Sequence, residues 1–319
     1  MRWPKKNSTH CPGWVDHYNR DGSFSTQSAR RATLSLSARQ LRELGYRNLR
    51  ADRVAQKHLR ALVGKWKGDG LSPATIKNRM AHLRWACEKA GRPGVAGLRN
   101  DDLGIERRQY IARESRATAL TVGALQQVHD RHIQFSLRLQ AEFGLRREES
   151  IKFRVAEADR GTDRIALAAS WCKGGRAREI LIRTPEQKAL LRELHDFCGT
   201  SSLIPAHLSY AQQLKRYEYQ TNAAGLHKNH GLRHLYAQTR YLQLTGRQCP
   251  AVQRTLSTQA HLVGGENGWF GQVIRPIPQL PEGLTSAGLD DRDARQIITE
   301  ELGHGRISIT NSYLGSTRG

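Results

Sequence analysis

The second part of the chain contains six polar residues whose types suit chemistry at a phosphate group. Arginine donates paired hydrogen bonds to phosphate oxygens and stays charged. Tyrosine can act as a nucleophile, and lysine and histidine can transfer protons. Breaking a phosphodiester without a metal needs a protein nucleophile, stabilisation of the transition-state charge and an acid for the leaving oxygen. The six residues, in chain order, are Arg146, Lys173, His230, Arg233, His304 and Tyr313.

Each of these residues has an ordinary structural explanation when it is considered alone. Arg146 could be a surface arginine, and Lys173 could be a solvated residue of a Gly-rich turn. His230 could cap a helix, and Tyr313 could be a core aromatic residue. The occurrence of all six in a fixed order is what favours a functional site.

The elements around the six residues are predicted to be helices with a single hairpin. Short apolar runs at 164–167 and 178–182 indicate two strands, and Lys173 begins the Gly-rich turn between them. Apolar residues at helical spacing predict the helices of this region. These cover 121–129, 133–143, 186–197, 210–219, 232–244, a shorter one near 250–262, and 291–302.

The first hundred residues are predicted to form a small helical unit. Ser72 suits the N-cap of its clearest helix, Pro73 suits the first helical position, and Gly91 suits the end. One face of this helix is apolar, with Ile76, Met80, Leu83 and Cys87. The other face is basic, with Lys77, Arg79, Arg84 and Lys89. Such a face is either solvated surface or a surface for nucleic acid.

Changes in composition predict the domain boundaries. Residues 1–24 are polar and indicate a flexible arm, and 25–95 form the first helical domain. Residues 96–117 are rich in glycine and charge and indicate a linker. The second domain covers 118–319, and its stretch 246–292, with many Gly and Pro residues, is interpreted as an insertion.

The composition indicates nucleic acid as the partner. The 319-residue chain has a net charge of +22, of which +14 falls within residues 1–110. Such a charge favours a phosphate backbone as ligand, with binding that weakens steeply with salt. Five scattered cysteines without a CxxC pair argue against a disulfide scaffold or a zinc site and favour the cytoplasm. We expect no signal peptide and no membrane span.

Five short stretches of the second domain together resemble the catalytic domain of the tyrosine recombinases, the lambda-integrase-like phage integrase family. None is specific alone, but their order, and the nine positions from His304 to Tyr313, make the resemblance strong. It covers about 118–319, and SPATIKNRMAHLRWA in the first domain is more weakly similar to the family's core-binding domain. The stretches are GLRREE (144–149), KGGRARE (173–179), HGLRH (230–234), ELGHGRISIT (301–310) and Tyr313.

The resemblance implies a fold and a role for each residue. The fold would be mainly α (α+β): a helical, SAM-like core-binding domain followed by a mostly helical catalytic domain with a small antiparallel sheet. Arg146 and Arg233 would bind the phosphate, and Tyr313 would form a covalent 3′-phosphotyrosine. Lys173 would protonate the leaving 5′-oxygen, and His230 would assist proton transfer at the tyrosine. The remaining roles are a phosphate hydrogen bond from His304 and orientation of catalytic side chains by Glu149. Apart from the resemblance, Arg176 or Arg178 could contact the phosphate backbone or have no role at the DNA.

The implied activity is site-specific recombination that integrates or excises a mobile element such as a prophage. The expected partners are double-stranded attachment sites, three further copies in a tetramer, and a directionality or host DNA-bending protein at the bacterial nucleoid. No metal, ATP or other cofactor is expected. A type IB topoisomerase and a non-catalytic DNA-binding relative are the alternatives, and the presence of all six positions argues against the second.

The chain departs from the family pattern in two places. Arg233 and His304 are 71 positions apart, where the family has a shorter connection, which is the reason for interpreting 246–292 as an insertion. Six residues follow Tyr313, whereas many relatives dock a C-terminal tail onto the next protomer. Either the chain is trimmed or another element makes that contact.

Overall fold

The structure is a computed structural model that describes residues 14–108, 110–263 and 287–316. Its contacts divide the chain into two compact units, Met1–Gln109 and Tyr110–Gly319. Both are mainly helical, and the second contains a two-stranded antiparallel sheet. The predicted fold class is therefore confirmed. Within the described ranges, no helix is long and apolar enough to cross a membrane.

The described residues of the first unit form three long helices and two short ones around one apolar core. The fully buried centre contains Leu34, Leu59 and Trp66, and the Trp66 indole donates a hydrogen bond of 2.8 Å to Gln40. The helices are α1 (Trp14–Tyr18), α2 (Phe24–Glu43), α3 (Gln56–Gly68), α4 (Pro73–Lys89) and α5 (Pro93–Ala96).

The helix α4 follows the sequence prediction closely. The Ser72 hydroxyl accepts the Thr75 amide as an N-cap, and Pro73 occupies the first turn. Gly91 adopts a positive φ of 70° just after the helix end, as a C-terminal glycine should. The four apolar residues predicted for one face are all buried, at 3 % exposure or less.

The structure describes the end of the predicted terminal arm and all but one residue of the predicted linker. The arm 1–24 is described only from Trp14, and there it forms α1, with Val15 buried in the core of the first unit. Leu103 and Ile105 also pack in this core, although they belong to the stretch 96–117 that the sequence predicts as a linker. Ala112 packs in the second unit. Apolar residues scattered among glycines and charges therefore pack the described parts of these segments into the cores.

The second unit has the hairpin at one side and a long central helix. Strand β1 (Arg164–Leu167) pairs with β2 (Arg178–Leu181), so that Arg164 lies opposite Leu181. Helix α12 packs against α7, α14 and α15. The helices of this unit are α6 (Val122–Gln126), α7 (Arg131–Phe143), α8 (Arg147–Ile151), α9 (Val155–Ala158), α10 (Pro185–Cys198), α11 (Tyr210–Ala223), α12 (His230–Thr245), α13 (Pro250–Val263), α14 (Asp291–Glu301) and α15 (Ile307–Leu314).

The start of the stretch 246–292 belongs to the core of the second unit. Cys249, Ala251 and Val252 are buried at the beginning of α13, in the same cluster as Tyr313 and Leu314. The predicted short helix near 250–262 is thus present, and it is a structural part of the unit. Residues 264–286 lie outside the described residues, so the interpretation as an insertion stays a prediction for them.

The conformation and close packing of Gly144 predict that a side chain at this position destabilises the protein. It ends α7 with a φ of 61°, and a Cβ at this position would overlap the ring of Tyr236. We expect Gly144→Ala to cost about 1–2 kcal/mol for the left-handed backbone and about 1–3 kcal/mol more for overpacking. Gly225→Ala is the control, since φ is 70° there but no described atom lies within 4 Å of the added carbon. Urea unfolding checks the difference, and equal losses for both variants would contradict it.

Candidate active site

Tyr313 lies on α15 with its hydroxyl between two of the other predicted residues. The hydroxyl oxygen is 3.1 Å from Nε2 of His230, within hydrogen-bond distance. It also accepts a longer hydrogen bond of 3.4 Å from Nε of Arg233. The backbone carbonyl of Tyr313 accepts from the Gln238 side chain at 3.0 Å. The side chain is therefore held from both ends, with 6 % of the residue exposed.

The Tyr313 ring is packed among three imidazoles. His234 stacks on it with ring centroids 4.4 Å apart and planes 29° from parallel. The His304 ring lies 5.1 Å away, and the His230 ring 5.7 Å away. His230 and His234 are one helical turn apart on α12, so the same helix face presents both rings to the tyrosine. This stacking restricts the rotation of the phenol and fixes the direction of its hydroxyl.

Arg233 is almost fully buried beside the tyrosine, at 1 % exposure. Its two terminal nitrogens donate short hydrogen bonds to the backbone carbonyls of Gly144 and Leu302. Burial lowers the pKa of this guanidinium to about 10, so the group still carries its charge at neutral pH. The side chain thus presents a fixed positive charge with Nε toward the Tyr313 hydroxyl.

Glu149 is a fully buried carboxylate that connects the arginines of the site. It accepts the backbone N–H of Arg146 at 2.7 Å and the Arg146 side chain at 2.8 Å. It accepts both terminal nitrogens of Arg178, at 3.0 and 2.7 Å, and lies 3.9 Å from Arg233. Burial would raise the pKa of Glu149. Hydrogen bonds from Arg178, the charges of Arg178 and Arg233, and the Arg146 amide outweigh burial and lower it to about 2.

Two histidines of the site are neutral at neutral pH. Burial, followed by the charges of Arg233 and Arg146, lowers the pKa of His230 to about 4. The same causes, with smaller contributions from Arg178 and His230, lower the pKa of His304 to about 3. Nδ1 of His304 is 3.0 Å from the Thr310 hydroxyl, and its buried Nε2 has no hydrogen-bond partner among the described residues. This leaves Nε2 of His304 available to a ligand.

Lys173 and Arg176 lie on the connection between β1 and β2, and both are exposed. Gly174 and Gly175 follow Lys173 with positive φ values of 75° and 66°, which the turn requires. The Arg176 guanidinium lies over Gly305, next to His304, where a Cβ would collide with it. The structure therefore brings Arg176 to the rim of the site and leaves Lys173 at the tip of the hairpin.

Two arginines predicted to contact DNA have structural partners. Arg84 donates to the backbone carbonyl of Leu98 at 3.0 and 2.8 Å and to Asn100 at 2.9 Å. Arg178 has 6 % of its side chain exposed and is held by Glu149. The guanidinium donors of both residues bind acceptors within the protein, and their contacts with the DNA backbone stay predictions. A charge in the sequence does not reveal whether its partner is solvent, DNA or the protein itself.

The other basic residues of α4 differ in their exposure. The Arg79 guanidinium lies 5.2 Å from the centre of the Trp66 ring, in a cation–π contact. Lys77 is half-buried and Lys89 is exposed. Contacts of these three residues with DNA stay predictions.

Sequence reasoning missed two elements of the site. The role of Arg178 has no local signal, because its partners are 29 and 123 positions away. The helix α15 was missed because Ile307, Ile309 and Thr310 are β-branched, a type that disfavours helices, and Arg306 makes no side-chain cap. Packing of Tyr313 and Leu314 against α12 to α14 stabilises this helix.

Comparison with known proteins assigns the chain to a family. Residues 17–96 match the family model described as "Phage integrase, N-terminal", and residues 111–239 match the model described as "Integrase". Together the two models cover nearly two thirds of the chain, and they follow its two units. The chain belongs to the phage integrase family of tyrosine recombinases. No curated protein sequence matches it.

Solved structures share the fold at low sequence identity. A lambda integrase dimer bound to a COC′ core site has a TM-score of 0.55 and 15 % identity, over 96 % of this chain and 77 % of that chain. The XerH site-specific recombinase bound to a palindromic difH substrate, a post-cleavage complex, has a TM-score of 0.50 and 14 % identity, over 94 % and 78 % of the two chains. At these identities the likeness concerns the fold.

The low pKa of Glu149 predicts how stability depends on pH. The folded pKa, about 2, lies below the ordinary value of 4.5. Its contribution, about 3 kcal/mol, is therefore complete above pH 4.5 and is lost as the pH falls toward 2. We expect Glu149→Gln to destabilise the protein at pH 7 and the gap to the wild type to narrow below pH 4.5. Urea unfolding from pH 7 to 3 measures this, and a gap that does not change with pH would refute it. Glu193→Gln, on a more exposed Arg138 pair, is the control.

Proposed function

We propose that this chain is a site-specific DNA recombinase that cleaves and rejoins strands through a covalent 3′-phosphotyrosine at Tyr313. The observation that carries the proposal is the position of the Tyr313 hydroxyl, between a neutral imidazole at 3.1 Å and a buried guanidinium at 3.4 Å. A protonated phenol is a weak nucleophile, so it needs neighbours that accept its proton and stabilise charge on its oxygen. The family assignment supports the same reaction.

The proposed cleavage step begins with attack of the Tyr313 oxygen on a DNA phosphorus. The phenolic proton passes to Nε2 of His230, which can accept it because burial and neighbouring charges keep this imidazole neutral. Negative charge that develops on the phosphate oxygens is stabilised by Arg146 and Arg233. Nε2 of His304 donates a further hydrogen bond. The bond to the leaving 5′-oxygen breaks, and Lys173 supplies its proton.

The products of this step are a 3′-phosphotyrosine and a free 5′-hydroxyl. Because the phosphotyrosine retains the energy of the phosphodiester, a 5′-hydroxyl from a second strand can attack it and restore Tyr313 without ATP or a metal. Exchange of four strands needs four tyrosines, so the active form would be a tetramer on two attachment sites. A directionality factor or host bending protein would select integration or excision of a mobile element at the bacterial nucleoid.

The nucleophile is tested by Tyr313→Phe. This variant keeps the ring that stacks on His234 but lacks the attacking oxygen, so we expect it to bind DNA normally and to form no covalent adduct. The substrate is a nicked duplex carrying the sequence that the protein selects from a random DNA pool. Denaturing gel electrophoresis detects the adduct, and Tyr219→Phe, which changes an exposed tyrosine, is the matched control. An adduct on the Tyr313→Phe variant would overturn the assignment.

The proton donor is tested by Lys173→Ala on two substrates. With an ordinary 5′-oxygen leaving group we expect cleavage to slow by about 10²–10⁴-fold, the usual contribution of an acid catalyst. A 5′-bridging sulfur leaves readily without a proton, so cleavage of that substrate should approach the wild-type rate. Persistent slow cleavage of the sulfur substrate would show that Lys173 is not the acid, and Arg176→Ala then becomes the next variant to examine.

Supercoiled DNA without the selected sequence separates the recombinase from a type IB topoisomerase. A recombinase requires its site, so we expect the plasmid to stay supercoiled unless the selected sequence is inserted into it. Efficient relaxation of a plasmid without that sequence would favour the topoisomerase.

A further inference from the structure

Arg178 uses nearly all of its guanidinium donors inside the protein. Nε donates to the backbone carbonyl of Glu301 at 2.8 Å. The two terminal nitrogens donate to separate oxygens of Glu149, at 3.0 and 2.7 Å, and one of them also contacts the Cys172 sulfur at 3.3 Å. Only 6 % of the side chain is exposed. A side chain in this arrangement orients the protein groups to which it donates.

The contacts of Arg178 join the separate elements that carry the proposed phosphate ligands. Arg178 lies on β2, Glu149 on α8, and Glu301 at the end of α14. Glu149 holds Arg146 by both its backbone and its side chain. The carbonyl next to that of Glu301, at Leu302, accepts a hydrogen bond from Arg233. Glu149 thus links Arg178 to Arg146, and the backbone at Glu301 and Leu302 links Arg178 to Arg233. Arg146 and Arg233 are the two arginines proposed to bind the phosphate.

The shape of the guanidinium makes this contact directional. Two parallel N–H···O bonds fix the plane of the Glu149 carboxylate, whereas a single bond would leave it free to rotate. The Arg146 side chain, by contrast, donates to one oxygen of this carboxylate and has 22 % of its side chain exposed. A carboxylate that turned away from its present plane would take Arg146 with it. The buried pair therefore restricts where the partly buried Arg146 side chain points.

Gly303 leaves room for this arrangement next to His304. Its φ of 61° belongs to the left-handed region, and a Cβ there would come within 3.0 Å of Cδ of Arg178. The absence of a side chain allows the arginine stem to pass directly beneath the loop that carries His304. The hairpin, the Glu149 helix and this loop meet at Arg178.

We propose that Arg178 is a positioning residue, which fixes the Glu149 carboxylate and thereby sets Arg146 and Arg233 in the geometry that binds the scissile phosphate. The proposal rests on the proposed function. Displacements of about 1 Å in such groups can slow a reaction by about 10²-fold. Loss of Arg178 should therefore slow the chemical step and leave the affinity for DNA unchanged, since the side chain is almost entirely buried and its donors are already engaged.

The experiment compares Arg178→Gln, Glu149→Gln and the double variant in the full chain. Single-turnover adduct formation at saturating protein gives the rate of the chemical step on the nicked selected duplex, and titration with the same duplex gives Kd. We expect Arg178→Gln to be about 10²-fold slower with the wild-type Kd. Because the two residues act through one contact, the double variant should be no slower than Glu149→Gln alone. Arg164→Gln, an exposed arginine on the paired strand β1, is the matched control and should cleave normally.

Three outcomes would overturn the proposal. A weaker Kd with an unchanged chemical rate would make Arg178 a DNA contact. Rate losses that multiply in the double variant would mean that Arg178 acts independently of Glu149. A lower melting temperature with a normal rate below that temperature would mean that Arg178 only stabilises the fold.

Two further measurements keep the result interpretable. If Arg178→Gln does not fold, Arg178→Lys keeps the charge but loses the paired hydrogen bonds, and we expect it to fold and to cleave more slowly than the wild type. Cleavage by the Arg178→Lys variant at the wild-type rate would contradict the proposal. If the wild type forms no adduct, the proposed function itself fails, whereas a wild type that reacts beside a fully active Arg178→Gln variant contradicts only the role of Arg178.

Discussion

The second unit depends on one buried negative charge, the carboxylate of Glu149. A carboxylate without exposure is costly unless it is paired and hydrogen-bonded, and Glu149 meets this requirement with Arg146, Arg178 and a longer contact to Arg233. The pairing also stabilises the arginines. Three guanidinium groups gathered in one place would repel each other without the Glu149 carboxylate between them. Several positive charges can therefore lie side by side in the candidate site while the protein stays folded.

The apolar core imposes a second constraint, on Tyr313, the proposed nucleophile. Tyr313 belongs to the cluster that contains Ile298 and Leu302 of α14 and Ala251 of α13, so its ring is a packing element of the core. Tyr313 can therefore be a core aromatic residue and the proposed nucleophile at the same time. Its backbone is fixed by packing, and its hydroxyl points to the polar side of the cluster, toward His230 and Arg233.

The strong positive charge of the chain serves more than one purpose. Arg84 and Arg178 donate hydrogen bonds to acceptors within the protein. Arg183 and Arg240 both form ion pairs with the buried Glu301. Net charge therefore overstates the number of groups available to a DNA backbone. Burial and partners of each guanidinium are needed to divide the arginines into those that hold the fold and those that can meet a phosphate.

The fold class, most of the helices and the candidate reactive residues follow from the sequence alone. Local signals are sufficient for these: the Ser72 cap and the apolar face of α4, the glycine turn after Lys173, and the ordered motifs that end at Tyr313. Their roles in the reaction remain proposals. Contacts between elements determine what depends on residues far apart in the chain. They stabilise α15 despite the poor helix propensity of its residues, place the start of α13 in the core, and make Glu149 the partner of Arg178. The reason is physical, since a side chain's partner is set by packing between elements, and no spacing within the sequence encodes a contact made across 29 or 123 positions.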